Sequence, residues 1–202
     1  MGRARDLANI LSSSGNVALD SELALSLITP TSIAATGGSG SISATGAVSF
    51  TSASAISLNN VFSATHDNYY ILINSTPSGS LDLRWRGRTG GSDNSSSLYD
   101  SGASYIDPTS GGFNNLTGAN LAYGYISDQG NATGTGTMMN VFSPFAARPT
   151  TVHSETQVNT EATSYLKKSY GTYNATTSFD GITIYTSTGT FTGTIRVYGY
   201  RN

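Results

Sequence analysis

The C-terminal stretch constrains this fold more than any other part of the chain. Gly181-Ile182-Thr183-Ile184-Tyr185 and Phe191-Thr192-Gly193-Thr194-Ile195-Arg196-Val197-Tyr198-Gly199-Tyr200-Arg201-Asn202 are two strand-like runs around a Ser-Thr-Gly turn. Short runs rich in Ile, Thr, Val and Tyr, bounded by Ser and Gly, are the pattern of paired strands. A chain end frays unless something ties it down. An apolar, aromatic ending therefore predicts a last strand embedded in a sheet, with any attachment at the other end.

Composition supports a folded β-domain. Charged residues make up 11% of the chain, against about 25% in an ordinary soluble domain. Ser, Thr, Gly and Asn take their place. Disordered chains are charge-rich and poor in aromatics, whereas this one carries 12 Tyr and 7 Phe. A net charge of −2 gives no footprint for nucleic acid. No run near the N-terminus is long and apolar enough for a signal segment or a membrane span, so no membrane insertion is expected. The absence of Cys removes disulfides, thiolate nucleophiles and cysteine metal sites. Synthesis in a cytosol is the matching expectation, with oligomerisation as the source of stability outside a cell.

Three regions follow. Residues 1–15 form a helical anchor: Ala4, Leu7, Ala8 and Leu11 fall at helical spacing beside Ile10, Asp6 suits the first turn, and Ser12-Ser13-Ser14-Gly15 stops it. So short a helix is marginal alone and must dock on something, either its own domain or a partner. Residues 16–46 read as an extended linker, with a period of two through Leu23, Leu25 and Leu27, a stop at Pro30, and an Ala/Ser/Thr/Gly run to a boundary near Gly46. Residues 47–202 read as short strands separated by turns. The expected strands are 47–54, 69–74, 81–88, 103–106, 121–126, 138–142, 151–157, 163–170, 181–185 and 192–200. With no internal repeat, eight to ten strands fit an all-β, jelly-roll-like β-sandwich.

Two strands invite functional readings. Tyr69-Tyr70-Ile71-Leu72-Ile73 is apolar on both faces, so Tyr69, Ile71 and Ile73 are either central under a loop or part of an interface with a neighbouring subunit. Leu81 to Arg88 alternates cleanly, placing Arg84, Arg86 and Arg88 on the face opposite Leu81, Leu83 and Trp85. That ladder calls for carboxylates such as Asp82 or Asp100, for water, or for an acidic or sulfated glycan. Tyr99, Tyr105 and Phe113 could stack on sugar rings, or belong to the core.

Catalytic and metal chemistry find little support. His66 and His153 are the two histidines, and no Gly-x-Ser-x-Gly elbow occurs in a strand-to-helix context. The acids are sparse and sit in turns, at Asp67, Asp93, Asp107 and Asp128, where Asx-turn hydrogen bonding explains them. Asp93-Asn94 and Asp100 with Asp107 are too thin for a calcium loop. The expectation is a non-enzyme without catalytic residues, metal or cofactor.

A resemblance adds to this reading. The run Asn68 to Asn74, the stretch Leu81 to Arg86 followed by a Gly-Gly-Ser-Asp-Asn-Ser-Ser turn and Tyr99, and the Gly-Ile-Thr-Ile-Tyr … Gly-Thr-Ile-Arg-Val-Tyr-Gly-Tyr ending together resemble the C-terminal domains of short tail-fibre and related virion proteins of tailed bacteriophages. The opening Met1-Gly2-Arg3-Ala4-Arg5-Asp6-Leu7-Ala8 is similar to the start of fibre proteins from marine phages and cyanophages. The resemblance covers the chain from Phe50 onward plus the first residues. It implies a jelly-roll-like domain, a homotrimer, and a place in the virion, at the tail or on the head. Arg3, Arg5, Leu7, Ile10 and Leu11 would dock on a tail adaptor or nozzle protein, and the sandwich would meet host-surface polysaccharide. With no shaft, the chain would be a short fibre or knob. A capsid decoration or head-fibre protein and a free carbohydrate-binding module are the competing expectations.

Overall fold

The computed structural model describes residues 25–106, 111–130, 133–159 and 164–200. The expected N-terminal helix, with Arg3, Arg5, Leu7, Ile10 and Leu11, lies outside the described residues. Among those described, the chain is all-β and forms an antiparallel sandwich of two sheets.

The larger sheet has ten strands. In spatial order they are β10 (Phe113–Leu121), β9 (Tyr99–Ile106), β14 (Ser164–Tyr173), β13 (Thr150–Asn159), β12 (Gly134–Phe142), β6 (Asn68–Pro77), β16 (Phe191–Tyr200), β4 (Val48–Ala53) and β3 (Ser39–Ile42), with β1 (Leu25–Ile28) also paired to β16. The smaller sheet runs β11 (Gly124–Asp128), β7 (Asp82–Thr89), β15 (Gly181–Thr186), β5 (Ala55–Asn59) and β2 (Ser32–Thr36), with the short β8 (Ser92–Asp93) on β7. The chain passes repeatedly from one sheet to the other, as jelly-roll sandwiches do.

The C-terminal expectation holds. β16 pairs with β6 on one side and with β4 and β1 on the other, so the last described strand is interior to its sheet. The expected linker is a correction. From Leu25 onward, that segment supplies β1, β2 and β3, which pair with β16, β5 and β4. The boundary placed near Gly46 is a hairpin turn between β3 and β4, where Gly46 adopts φ +79°. Between β2 and β3 the chain crosses from one sheet to the other at Gly37-Gly38. Gly38 lies so close to β4 that a Cβ would sit 2.2 Å from the Thr51 carbonyl oxygen. This corner closes one long side of the sandwich. On the opposite side β9 and β11 are bonded to each other, and β10 leaves an open cleft beside them.

The core is aromatic at its centre. Trp85 meets Tyr99 edge-on at 5.2 Å, Tyr99 meets Tyr173 at 4.9 Å, and Tyr173 meets Phe179 at 4.9 Å. Phe179 lies on Gly87 and Trp85 on Gly124, positions where a side chain would collide with the ring. Such pairs contribute about 0.5–1.5 kcal/mol beyond the area they bury. Tyr69, Ile71 and Ile73 line the same core with no exposed surface.

Candidate binding surface

The structure ties each arginine of the ladder to groups of its own chain. Arg84 pairs with Asp82 at 2.9 Å and lies 4.0 Å over the Tyr123 ring. Arg86 donates from Nε to the Ala122 carbonyl at 2.9 Å and lies over Tyr185. Arg88 is buried, donating to Asn59, Ser57 and Thr183 and pairing with Asp93. All three cations are thus engaged by their own chain, Arg86 by a carbonyl and a ring and the other two by carboxylates. Their carboxylate partners are Asp82 and Asp93. Asp100 instead accepts from the Asn120 N–H at 2.9 Å and from the Asn174 side-chain amide.

The other predicted residues separate. Tyr99 is core: its hydroxyl accepts from the Gly87 N–H at 3.1 Å and donates to the Asn94 carbonyl at 2.9 Å, so it cannot stack on a sugar. Tyr105 is half-buried against Tyr165, and Phe113 is exposed on the edge strand β10. The subunit interface placed on Tyr69, Ile71 and Ile73 is also corrected, because the facing sheet of the same chain covers all three. His66 is used structurally: its Nδ1 lies 2.9 Å from the Tyr200 carbonyl and its ring packs on Gly199. Among the described residues no group of three metal-ligating side chains occurs, and no helix is long and apolar enough to cross a membrane.

Two surfaces remain. The first is the outer face of the ten-stranded sheet. Register places Leu27, Tyr198, Tyr70, Asn140, His153 and Tyr170 in one row across six strands. A second row carries Arg196, Leu72, Met138, Glu155 and Lys168. Phe142 and Leu166 flank these rows. Leu27, Met138, Phe142, Leu166 (47%) and Tyr170 (64%) are exposed. The Tyr170 ring lies flat across Gly102, where a Cβ would come within 2.4 Å of it. The face is nearly neutral: Glu155 pairs with Lys168 at 2.9 Å, and that ammonium holds the Glu155 carboxyl below the usual carboxylate range.

The second surface is the cleft on the open side. Here β9 and β10 overhang the smaller sheet, and β11 forms the other wall. Two adjoining cavities of about 180 and 270 Å³ share Asp82, Leu116 and Tyr125. The first adds Tyr123, Leu121 and Ser101; the second adds Tyr105, Asn114, Asn115, Asp128 and Lys167. Lys167 is 4% exposed, bonds Asp128 at 2.7 Å and lies 4.3 Å from the Tyr105 ring centroid. Asp82 and Asp128 are cross-strand partners in the β7–β11 pair. Burial pushes the Tyr125 phenol up.

Sequence reasoning reached Asp82, Asp128 and Tyr105 singly and missed Lys167, Tyr123, Tyr125 and Leu116 as a group. The one signal was a reversed alternation in Tyr165-Leu166-Lys167-Lys168-Ser169-Tyr170. There Tyr165, Lys167 and Ser169 turn inward, while Leu166 and Tyr170 turn out.

No protein-family model and no curated protein matches the chain. Among solved structures, it is similar to the CBM22-1–GH10 modules of the Clostridium thermocellum N-terminal endo-1,4-β-D-xylanase 10B complexed with xylohexaose. The identity is 9% and the TM-score 0.26, over 88% of this chain and 26% of that one.

Proposed function

We propose that the chain is a structural virion protein of a tailed bacteriophage: a short homotrimeric tail fibre that docks through its N-terminal residues and presents the sandwich to host-surface glycan. The carrying observation is the apolar outer face of the ten-stranded sheet. Antiparallel sheets with one solvated face normally turn polar residues outward. Here Leu27, Met138, Phe142, Leu166 and Tyr170 stand exposed on that face. Taking strand spacings of about 4.8 Å and side-chain repeats of about 6.8 Å, these rows cover on the order of 500 Å². That area includes Asn140, His153, Arg196, Glu155 and Lys168, and the apolar side chains exposed among them are of the kind that marks an interaction site. The sequence resemblance to fibre domains supplies the assembly this face would serve. Asp82 and Asp128 are each tied to a cation, an arrangement suited to accepting hydrogen bonds from a ligand.

Light scattering on the full chain after size exclusion is the test of assembly. A trimer is expected, and Leu166→Asp with Met138→Asp should yield monomers with unchanged circular dichroism. A monomeric parent chain overturns the trimer. Immunogold labelling of intact particles tests the location. Tail label is expected, whereas label spread over the head would replace the fibre by a capsid decoration protein built on the same face.

A further inference from the structure

We propose that the cleft between β10–β9 and β11 is a binding site for a neutral pyranose sugar, such as the exposed end of a polysaccharide chain. This deepens the glycan-attachment part of the proposed function and rests on that reading only for the source of the sugar.

The lining selects the ligand by elimination. The two cavities together reach the lower part of the range for small-molecule sites, about 300–1,000 Å³. Asp82 and Asp128 both reach the opening, with 35% and 40% of their side chains exposed, and each charge is offset by one cation, Arg84 or Lys167. A phosphate, sulfate or uronate would therefore meet carboxylates first and find no unpaired cation in the lining. A purely apolar ligand would strip water from the carboxylate lone pairs that Asp82 and Asp128 keep beyond their one ion pair each, and buried acceptors that lose water without a replacement cost about 1–3 kcal/mol each. A neutral sugar satisfies both constraints. Its hydroxyls donate to the carboxylates and exchange hydrogen bonds with the amide of Asn114, which shares the face of Tyr105 and Lys167. Its C–H face lies against Tyr123, Tyr105 or the half-exposed Leu116.

The site is also held in place before any ligand arrives. Lys167 is clamped between Asp128 and the rings of Tyr105 and Tyr165. Arg84 is clamped between Asp82 and Tyr123. Charges fixed in this way keep the acceptors oriented at little further entropic cost on binding. Affinity per site is expected to be weak, with dissociation constants of about 1 mM, and three copies on one particle would raise it by avidity. The chemistry differs from what the arginine ladder suggests in the sequence: the acidic or sulfated glycan gives way to an uncharged one, at another place.

The test is titration of the full chain by ligand-observed NMR with glucose, galactose, mannose, N-acetylglucosamine and N-acetylgalactosamine, beside glucuronic acid and a sulfated galactose. Saturable binding of at least one neutral sugar is expected, with the charged sugars at least 10-fold weaker. Asp82→Asn and Tyr123→Ala should each weaken that binding at least 10-fold. Asn114→Ala, at an exposed position on the edge strand opposite Tyr105, should weaken it several-fold. Leu166→Asp, on the outer face, should leave sugar binding unchanged while altering the oligomeric state, so that failure of the cleft and failure of the trimer read out separately. No binding of any sugar, a preference for the charged ones, or full binding by the Asp82 and Tyr123 variants would overturn the proposal.

Discussion

The sandwich core has two halves built on different chemistry. Beneath β7, β15 and β5 it is apolar and aromatic, with Trp85, Tyr69, Ile71, Ile73, Phe179 and Ile184 almost without exposed surface. Beneath β11 it is lined with hydroxyls: Ser75, Thr135, Thr137, Ser154, Thr156 and Ser169 are buried there around Gln129. The first half keeps the sheets a side chain's thickness apart, at the usual spacing of about 10 Å. In the second, β11 lies close over β13, β14 and β9, and the sheets bond to each other directly. Ser154 and Ser169 both donate to the Ile126 carbonyl, at 3.0 and 2.7 Å. Ser101 accepts from the Tyr125 N–H at 3.0 Å. Gln129 donates to Thr135 at 3.0 Å and to Ser75 at 3.3 Å. The difference teaches that a hydroxyl-rich chain can close a sandwich without much apolar bulk, provided the small residues let backbone and hydroxyls meet. The descent of β11 also shapes the inner wall of the cleft.

The largest break in the comparison should come from the apolar half. Trp85→Ala removes the ring that packs on Tyr99 and fills the space over Gly124. Aromatic truncations of this kind cost about 3–5 kcal/mol. Urea unfolding followed by circular dichroism should show that loss, and a change below 1 kcal/mol would mean that the rings are not closely packed.

In the hydroxyl half the damaging change is the opposite one, an increase in size. Ser154→Leu would push Ile126 of β11 away from β13 and strand its carbonyl, at a cost of about 1–3 kcal/mol from overpacking. Ser154→Ala should cost only about 1 kcal/mol, the worth of one net hydrogen bond, since Ser169 still donates to the same oxygen. If the Leu variant proved as stable as the Ala variant, the sheets would not be closely apposed here.

The apolar half was largely legible in the sequence, and the hydroxyl half was not. Alternation through Leu83 and Trp85, and through Ile195 and Val197, announces its own buried face. Nothing in Thr135-Gly136-Thr137 or Ser154-Glu155-Thr156 distinguishes an inward hydroxyl from a solvated one. For the same reason, β2 and β3 read as linker, since Ala, Ser, Thr and Gly bury little area. The strand β10 was invisible as well, because it is an edge strand that exposes most of its Asn-rich length. The cleft draws single residues from β7, β9, β11 and β14 together with the unread β10, so its residues could be found singly but not as a group. In the Tyr69–Ile73 strand both faces are apolar for two separate reasons: one lines this core, and the other forms part of the exposed outer sheet.

A titration compares the halves in smaller steps. Tyr99 in the apolar half and Tyr125 beside the hydroxyl half both have phenols pushed up by burial, opposed in each case by a backbone hydrogen bond. A folded-state value above the unfolded one means that the stabilisation is complete below the unfolded value, near pH 10, and is lost as pH rises beyond it. Each group then costs about 1.4 kcal/mol per pH unit. Unfolding midpoints should fall between pH 10 and 11, and tyrosinate absorbance for these two should appear only together with unfolding. Tyr125→Phe should flatten that fall. If the Tyr125 phenol ionised in the folded chain, the cleft would be wetter than its packing indicates.

The smallest expected effect is the sharpest statement about hydroxyl packing. Thr137 and Thr156 face each other across β12 and β13, buried, with their hydroxyl oxygens 2.9 Å apart. Either Thr→Val change alone leaves one buried hydroxyl without its partner, at about 1–3 kcal/mol. Changing both removes the donor and acceptor together and keeps the branched shape, so the double variant should lie within about 0.5 kcal/mol of the parent. A double-mutant cycle in urea measures the coupling between the two. Strong coupling with a near-neutral double variant would mean that the hydroxyls matter here as mutual partners and that the half tolerates apolar replacement wherever shape is kept. Additive losses would mean that each hydroxyl has a second use, and that this half of the core is specified by hydrogen bonding rather than by volume.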